Sequence, residues 1–393
     1  MKDETSFAWE CAIGHNSPPQ FCRSGAVGIK TSASGAEVVL APSAHDHALY
    51  RYSGATVIRQ WNITKSTKYS FACHETPVFF INIPYSNTFD GKVNYYHYHV
   101  DVLLPLFVAF QRASLVQNGH AGALVSAVVI PTVSTLQWYS SIPGDHDGSP
   151  FEWDTQAFKD PKAHWVQSLQ AMTDFPLMPF SSTTDFRGIV EEGGSVAWPC
   201  FPSAYFGLPS VEHPAPSTVR RFVEFMRSRL KLRAEPVPCD ASDEIGLVRR
   251  SNRRLLLNEA DLIKAVTNAT GSTIRLLDFG KKGFQADIAS MQTLRVLVGM
   301  QGSGLINGWY LPPQSGVVVL YQYGAWDVFD EYLSPRGPYA FWANGDPAKS
   351  FCNRTVDRFC DSPDTIVDID AAVKVIVESL MASRRHCSAE KEL

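Results

Sequence analysis

The sequence predicts an α/β fold built as two lobes. Its 393 residues exceed the usual size of a single hydrophobic core, which favours two domains. Residues 245–321 alternate between short apolar runs and helix-forming segments, the pattern of βαβ units around a parallel sheet. Residues 78–83 and 124–130 are continuous apolar runs, as expected of strands buried on both faces.

A helix is predicted directly after the first of these strands. Residues 94–112 carry apolar side chains every three or four positions, among them Tyr98, Val102 and Leu106. Pro105 must bend or restart this helix, because proline has no N–H to donate. The loop-rich segment 131–200 contains one further predicted helix near 164–172, and another helix is predicted over 217–232.

In the second half, strands are predicted at 245–248, 274–277, 295–298 and 317–321, with helices at 259–266 and 284–294 between them. The turn-rich segment 234–240 is interpreted as a linker. The expected domains are therefore an N-terminal lobe, 1–235, and a C-terminal lobe, 240–350. Residues 351–393 form a C-terminal segment with a helix at 366–381, which we expect to pack back on the first lobe.

A glycine turn follows the strand at 295–298 and precedes a short helix. Glycine allows the backbone to approach a ligand closely, and a helix N-terminus presents N–H groups and a positive dipole end to an anion. Gln301, Gly302, Ser303 and Gly304 are therefore candidates for binding a phosphate. The alternative is an ordinary tight turn of an α/β domain.

Arginines follow another strand of the same lobe. The segment 249–259 reads RRSNRRLLLNE, and Arg250 and Arg254 could clamp a diphosphate through paired hydrogen bonds. Ligands of open parallel sheets bind at the carboxyl ends of the strands. Because the glycine turn lies at that same edge, the two features together predict a nucleotide-diphosphate pocket. A solvent-exposed basic helix start is the alternative.

Asn94, His97 and Asp101 share one face of the first predicted helix, since they are three and four residues apart. A histidine and a carboxylate on one face can act as a general base and its orienting partner. The HExxH spacing of a zinc site is missing, so we expect no metal. A polar patch without a catalytic role is the alternative.

Composition limits the partners and the compartment. The net charge of −4 gives no overall attraction to nucleic acid or to an anionic membrane. Eight cysteines and the sequons at Asn62, Asn268 and Asn353 favour a secretory-pathway protein over a cytosolic one with scattered thiols. Cys352 and Cys360 are spaced like a small loop disulfide. No signal peptide or run of about 20 apolar residues is visible, so a membrane anchor is expected only as a removed N-terminal segment.

Three ordered motifs resemble glycosyltransferase family sixty-one. The pattern N-x-x-H-x-x-x-D falls on Asn94, His97 and Asp101. The pattern R-x-x-x-R-x-x-x-N-E falls on residues 250–259, and the glycine turn is similar to the family's M-H-G-A/S-x-L. The positions concerned in the second and third motifs are Arg250, Arg254, Asn258, Glu259, Gln301, Gly302, Ser303 and Gly304.

The resemblance implies a GT-B fold, with two Rossmann-like lobes and a cleft between them. It implies an inverting transferase without metal or other cofactor, which moves a sugar, GlcNAc first, from UDP to a glycoprotein or glycan in the endoplasmic reticulum or Golgi lumen. An O-mannosyl group is one sugar acceptor that it suggests. Asp101 or His97 would be the base, with Asn94 orienting it, and the second and third motifs would bind the donor.

Two positions depart from the family pattern, which usually has histidine where this chain has Gln301 and glutamate where it has Val319. Three alternatives stay open. One is a xylosyltransferase of the same family, and another is a non-catalytic relative that binds glycan or nucleotide. The third is a cytosolic nucleotide-diphosphate enzyme of a different family.

Overall fold

The structure is a computed structural model. It describes residues 95–116, 125, 127–133, 164–175, 177, 189–190, 196–201, 203–209, 211, 213–251, 253–352, 363–385 and 387, and before residue 95 it describes residues 76–77 and the strands bounded below. Contacts divide the chain into two compact units, Met1–Glu212 and His213–Leu393.

This division falls earlier in the chain than the predicted linker at 234–240, because the helix at Pro216–Arg229 packs within the second unit. Its Phe222 ring meets the ring of Trp309 edge-on, with 5.1 Å between the centroids. Its Arg227 donates a hydrogen bond of 3.1 Å to the carbonyl oxygen of Tyr310. The predicted linker is therefore an internal segment of the second unit.

Most helices of the described residues are short. They are α1 (Tyr95–Tyr98), α2 (Leu104–Arg112), α3 (His164–Met172), α4 (Pro216–Arg229), α5 (Glu259–Thr270), α6 (Phe284–Ser290), α7 (Asp330–Leu333) and α8 (Ile369–Ser383), with a π turn at His99–Leu103 and 3₁₀ helices at Ser303–Tyr310, Ser334–Arg336 and Pro347–Lys349. Within the described part of the chain, none of the helices is long and apolar enough to cross a bilayer.

The strands of the first unit are β1 (Glu10–Gly14), β2 (Ser17–Ser24), β3 (Val27–Ser32), β4 (Gly35–Leu40), β5 (Ile63–Lys65), β6 (Phe71–Cys73), β7 (Val78–Ile83), β8 (Ser86–Asn87), β9 (Lys92–Val93), β10 (Val128–Val133), β11 (Ile189–Val190), β12 (Val196–Phe201) and β13 (Ala204–Gly207). One described sheet has the order β1-β2-β13-β7-β10, and a second has the order β11-β12-β3-β4-β5 with β6 paired to β12. The predicted apolar strands β7 and β10 are parallel neighbours.

The helix predicted over 94–112 is present as α1, the π turn and α2. The π turn lies just before Pro105 and takes up the break in the hydrogen-bond ladder that proline imposes. Its apolar face is buried against β7, where the Phe79 ring meets the ring of Phe110 edge-on at 4.9 Å. Phe79 also stacks on Tyr205 at 4.4 Å. These contacts fix the helix that carries His97 and Asp101.

The strands of the second unit are β14 (Glu244–Val248), β15 (Thr273–Leu277), β16 (Val296–Met300), β17 (Gly316–Tyr321), β18 (Tyr339–Ala343), β19 (Ser350–Phe351) and β20 (Asp364–Thr365). The first five form an all-parallel sheet in the order β15-β14-β16-β17-β18. The predicted parallel sheet is confirmed. The edge strand β18 was not predicted, because a short aromatic run without a clear helix before it lacks the βαβ pattern.

The core of the second unit lies on the sheet. Every residue of β16 and β17 is buried, which explains their continuous apolar sequence. Leu262 and Val266 of α5 and Ile376 of α8 cover one face of the central strands. Full burial of such side chains contributes about 1.5–3 kcal/mol each.

The C-terminal helix α8 packs on this sheet and on α5 within the second unit. Its expected contact with the first lobe stays a prediction. The end of the chain is linked back by a disulfide between Cys239 and Cys387. Beside it, the buried Asp243 carboxylate pairs with both Arg295 and Arg384. Apolar burial and these ionic contacts together explain why the helix stays with the second unit.

Candidate functional site

The parallel sheet of the second unit has a switch point between β14 and β16. From β14 the chain moves outward to β15 and then crosses back to β16 on the other side. Loops that follow the two strands on either side of such a point form the usual ligand crevice. Here those loops are the arginine loop, residues 249–257, and the glycine turn, residues 301–304.

Arg250 lies directly on Gly302. A Cβ atom placed on Gly302 would come within 1.7 Å of the Nη1 atom of Arg250, so any side chain at this position would force the guanidinium to move. The Nε atom of Arg250 donates a hydrogen bond of 2.9 Å to the carbonyl oxygen of Arg253, which orients the side chain along the loop. The structure therefore brings together two residues that the sequence predicted as one site.

Arg254 is hydrogen-bonded to the first residue of the glycine turn. Its Nη1 atom donates a hydrogen bond of 3.1 Å to the carbonyl oxygen of Gln301. The backbone of Arg254 has φ of 54°, in the left-handed region that is costly for a residue with a side chain. Surrounding contacts must therefore maintain this conformation, and it sends the guanidinium towards the turn.

The charge at this edge is positive and partly buried. Burial, together with the nearby charges of Arg254 and Arg253, lowers the pKa of Arg250 to about 10. Arg250 nevertheless remains a cation at neutral pH. Among the described residues, no carboxylate pairs with it. An anionic ligand would relieve the repulsion between these guanidinium groups.

Gln301 already has protein partners at both ends of its side-chain amide. Its Oε1 atom accepts a hydrogen bond of 2.8 Å from Gln322, and its Nε2 atom donates at 3.4 Å to the carbonyl oxygen of Trp326. Gln301 thus ties the glycine turn to the loop after β17. The Trp326 side chain is 75% exposed beside this link.

Ser303 and Gly304 form the first turn of the 3₁₀ helix Ser303–Tyr310. The first N–H groups of a helix have no partner within that helix and can bind an anion. Gly304 packs closely as well, because a Cβ atom there would lie 3.2 Å from the ring of Phe279. The two glycines of the turn therefore allow close packing, Gly302 against Arg250 and Gly304 against Phe279.

Asn258 and Glu259, the last two residues of the arginine motif, have partners within the protein. Asn258 precedes α5 but does not cap it. Its amide instead donates to the Val367 carbonyl oxygen at 2.9 Å and accepts from the Val367 N–H at 3.0 Å. Glu259 forms a salt bridge of 2.9 Å with Arg249. Their predicted contact with a donor stays a prediction.

In the first unit, His97 and Asp101 are in contact on the exposed side of their helix. The Nδ1 atom of His97 lies 2.8 Å from Oδ2 of Asp101, and the two side chains are 40% and 36% exposed. A carboxylate in this position favours the tautomer with hydrogen on Nδ1, so Nε2 carries the lone pair of a neutral ring. Asn94, the third predicted residue, lies outside the described residues.

Two further histidines of the first unit are largely buried. His99 is fully buried, with its Nδ1 atom 2.7 Å from the carbonyl oxygen of Tyr95. The ring of Tyr95 also contacts that of His164 at 4.7 Å. Burial lowers the pKa of His99 to about 3 and that of His164 to about 4, so both are neutral at physiological pH.

Other predicted positions fall in different surroundings. Val319 is fully buried in the middle of β17, away from the carboxyl edge of the sheet. Asn268 is exposed on α5, whereas Asn62 and Asn353 lie outside the described residues. Cys352 is disulfide-bonded, and its predicted partner Cys360 also lies outside them. No metal-binding group of three or more His, Cys, Asp or Glu side chains occurs among the described residues.

Sequence reasoning missed Gln322, Trp326 and Asp364. Gln322 and Trp326 follow β17 and reach the glycine turn only because β17 lies beside β16. Asp364 accepts a hydrogen bond of 2.8 Å from the N–H of Leu255, although 109 residues separate them in the chain. The only local indication that Gln322 belongs to the site was its position in a loop directly after an apolar strand. The sequence around Asp364 gave no such indication.

Comparison with known proteins identifies the family of the chain. The profile of the family Glycosyltransferase 61 matches residues 95–318, more than half of the chain. An EGF domain-specific O-linked N-acetylglucosamine transferase of Drosophila melanogaster is 23% identical over 277 residues, which cover 69% of this chain and 46% of that protein.

Shorter similarities lead to proteins named protein O-linked-mannose beta-1,4-N-acetylglucosaminyltransferase 2. The one from Danio rerio is 28% identical over 106 residues, 27% of this chain and 18% of that protein. The one from Xenopus tropicalis is 29% identical over 117 residues, 30% of this chain and 19% of that protein. The chain spans less than half the length of these curated relatives. The resemblance seen in the sequence is thus confirmed, and the chain belongs to the glycosyltransferase 61 family.

Proposed function

We propose that the protein is an inverting glycosyltransferase that moves GlcNAc from UDP-GlcNAc to a glycoprotein acceptor, with an O-mannosyl glycan as the first candidate. The observation that carries the proposal is the position of Arg250 on Gly302, beside Arg254, at the switch point of a parallel sheet. The donor and acceptor sugars are taken from the names of the curated relatives.

On the donor side, Arg250 and Arg254 bind the diphosphate of UDP, together with the backbone N–H groups of Gly302, Ser303 and Gly304. Two guanidinium groups at one edge of a sheet match the two phosphates in charge and in hydrogen-bond geometry. They also stabilise the negative charge that develops on the departing UDP, which is the role that a metal ion has in other transferases. The proposal therefore needs no metal, and EDTA should leave transfer unchanged.

On the acceptor side, we assign the base to His97, oriented by Asp101. Nε2 of His97 takes the proton of the attacking hydroxyl group while its oxygen forms a bond to the anomeric carbon. The bond from that carbon to the UDP oxygen breaks, and UDP leaves with the electron pair. Attack opposite the leaving group inverts the configuration. The Asp101 carboxylate stabilises the imidazolium that forms, as in other carboxylate–histidine pairs.

This assignment fits a GT-B arrangement, with two Rossmann-like lobes, a cleft between them and the donor in the C-terminal one. It also fits the lumen of the endoplasmic reticulum or Golgi. The Cys239–Cys387 disulfide is typical of an oxidising compartment, and the sequon at Asn268 is exposed. The strand register further places Cys11 opposite Cys22, and Cys73 opposite Cys200.

The test is binding of UDP-GlcNAc, UDP-xylose and other UDP-sugars, measured by calorimetry and thermal shift, in the parent and in Arg250→Ala. We expect UDP-GlcNAc to bind the parent. Arg250→Ala should weaken the affinity for UDP at least tenfold. Arg253→Ala is the matched control, because it removes the same charge from an exposed position of the same loop. Unchanged affinity in Arg250→Ala would overturn the donor site, and preference for UDP-xylose would identify a xylosyltransferase.

A second candidate is a non-catalytic relative that binds nucleotide or glycan. It is favoured by Gln301, whose amide is occupied by Gln322 and Trp326, and by the buried Val319 where the family usually has glutamate. Release of UDP from UDP-GlcNAc, without and with glycoprotein acceptors, separates the two. Arg250-dependent binding of UDP without any release or transfer would support the second candidate.

A further inference from the structure

The arginine loop is held from outside by a segment far along the chain, residues 364–367. Leu256 and Thr365 form a parallel bridge. The N–H of Thr365 donates to the Leu255 carbonyl oxygen, and the N–H of Leu257 donates to the Thr365 carbonyl oxygen, each at 2.9 Å. Together with the two bonds between Asn258 and Val367, these contacts add a short strand to the loop.

One contact is made by a side chain. Oδ1 of Asp364 accepts a hydrogen bond of 2.8 Å from the backbone N–H of Leu255. Leu255 directly follows Arg254, whose φ of 54° lies in the left-handed region that is unfavourable for a residue with a side chain. Bonds to both the N–H and the carbonyl group of Leu255 fix the chain where this unfavourable conformation must be maintained.

We infer that Asp364 is a positioning residue for the diphosphate-binding arginines, and that the segment 364–367 belongs to the donor site although it touches no ligand itself. By holding Leu255, Asp364 keeps Arg254 in its left-handed conformation and its guanidinium at Gln301. This inference rests on the proposed function for its ligand. It extends the site beyond residues 95–318, the part of the chain that the family profile matches.

The remainder of the C-terminal segment explains why so remote a residue can have this role. β20 also pairs with β19 in an antiparallel ladder, with Phe351 opposite Asp364. Asp368 then caps α8 by accepting a hydrogen bond of 3.1 Å from the N–H of Ala371. The helix itself packs on the sheet, so the segment 364–367 has a fixed place from which to support the loop.

The test compares Asp364→Ala with Asp364→Asn and with Asp368→Ala. Asparagine retains an oxygen that can accept the bond from Leu255. Asp368→Ala is the matched control, because it removes a carboxylate that accepts one backbone N–H bond just after this segment, at the start of α8, and is not hydrogen-bonded to the arginine loop. We expect Asp364→Ala to weaken the affinity for UDP about tenfold. Asp364→Asn and Asp368→Ala should bind UDP with an affinity within about twofold of that of the parent.

Hydrogen exchange of residues 249–257 in the absence of ligand gives an independent readout. We expect protection of this loop to fall in Asp364→Ala and to persist in Asp364→Asn and Asp368→Ala. Equal loss of protection in Asp364→Ala and Asp368→Ala, or none in either, would overturn the inference. If the parent does not bind UDP, the proposed function fails, and the exchange measurement still decides whether Asp364 positions the loop.

Discussion

The guanidinium of Arg250 fills the space in which a side chain at Gly302 would lie. The two residues follow adjacent parallel strands, β14 and β16, so each reaches the same edge of the sheet. Gly302 has an extended backbone with φ of 172°, which any residue can adopt. A side chain at Gly302 would therefore compete with the arginine for space and would not strain the backbone.

Gly302→Ala should displace the side chain of Arg250 and weaken the affinity for UDP at least tenfold. A charge-assisted hydrogen bond contributes about 1.5–3 kcal/mol, and the displaced guanidinium would lose its contacts with the diphosphate. Calorimetric titration with UDP measures the effect. Gly345→Ala is the control, since a Cβ atom there meets nothing within 4 Å, and it should bind UDP like the parent. Full UDP affinity in Gly302→Ala would show that the anion does not depend on Arg250.

His97→Gln and Asp101→Asn should both retain UDP binding and lose at least a hundredfold in the rate of transfer. General base catalysis contributes about 10²–10⁴-fold, and Asp101 is needed to keep hydrogen on Nδ1 of His97. Single-turnover rates with saturating UDP-sugar provide the measurement. If His97→Gln transferred at the parental rate while Asp101→Asn did not, Asp101 itself would be the base.

Arg295→Met should destabilise the second unit by about 3–5 kcal/mol. Arg295 is 1% exposed and pairs with the buried Asp243, so its removal leaves a charge in the protein interior with less compensation. Urea unfolding measures the loss.

The control for this prediction is Lys281→Met. Its ion pair with Asp278 is exposed, with side-chain exposures of 73% and 47%, and such pairs contribute about 0–1 kcal/mol. Similar effects of the two substitutions would contradict a special role for the buried pair, and would leave the packing of α8 to the apolar contacts alone.

Acidification should destabilise the first unit below pH 6.5, in part through His99 and His164. Their folded-state pKa values of about 3 and about 4 lie below the ordinary value of 6.5, so the unfolded chain binds more protons between these limits. Stability therefore falls as the pH falls through this window, by up to about 1.4 kcal/mol per pH unit for each histidine.

His99→Asn is the variant that checks this pH dependence. Asparagine can still donate to the carbonyl oxygen of Tyr95 but does not titrate. Between pH 6.5 and 4.5, the difference in bound protons between the unfolded and the folded protein should therefore fall by about one. The slope of the unfolding free energy against pH falls in proportion. A slope equal to that of the parent would mean that burial of His99 does not control the acid sensitivity.

Much of the second unit could be predicted from local sequence. The strands around Leu247, Val298 and Val318 were predicted because burial on both faces of a parallel sheet requires continuous apolar runs. The edge strand β18 escaped prediction because one of its faces is exposed, as at Phe341, and its aromatic residues show no alternating period. Local patterns also could not predict the domain boundary. The helix that carries Phe222 belongs to the second unit because Phe222 contacts Trp309, which lies far along the chain.

The candidate site divides in a similar way. Local sequence by itself predicted that Arg250 and Arg254 share one loop and that His97 and Asp101 share one helix face, because the members of each pair are four residues apart. The predicted parallel strands then placed Gly302 at the same sheet edge as the arginines. The tertiary structure decided that Arg250 lies on Gly302, that Asn258 binds Val367, and that Asp364 supports Arg254 through Leu255. The arrangement of the strands brings together residues that are more than 100 positions apart in the chain. Local periodicity cannot predict which distant backbone group will bind a given side chain.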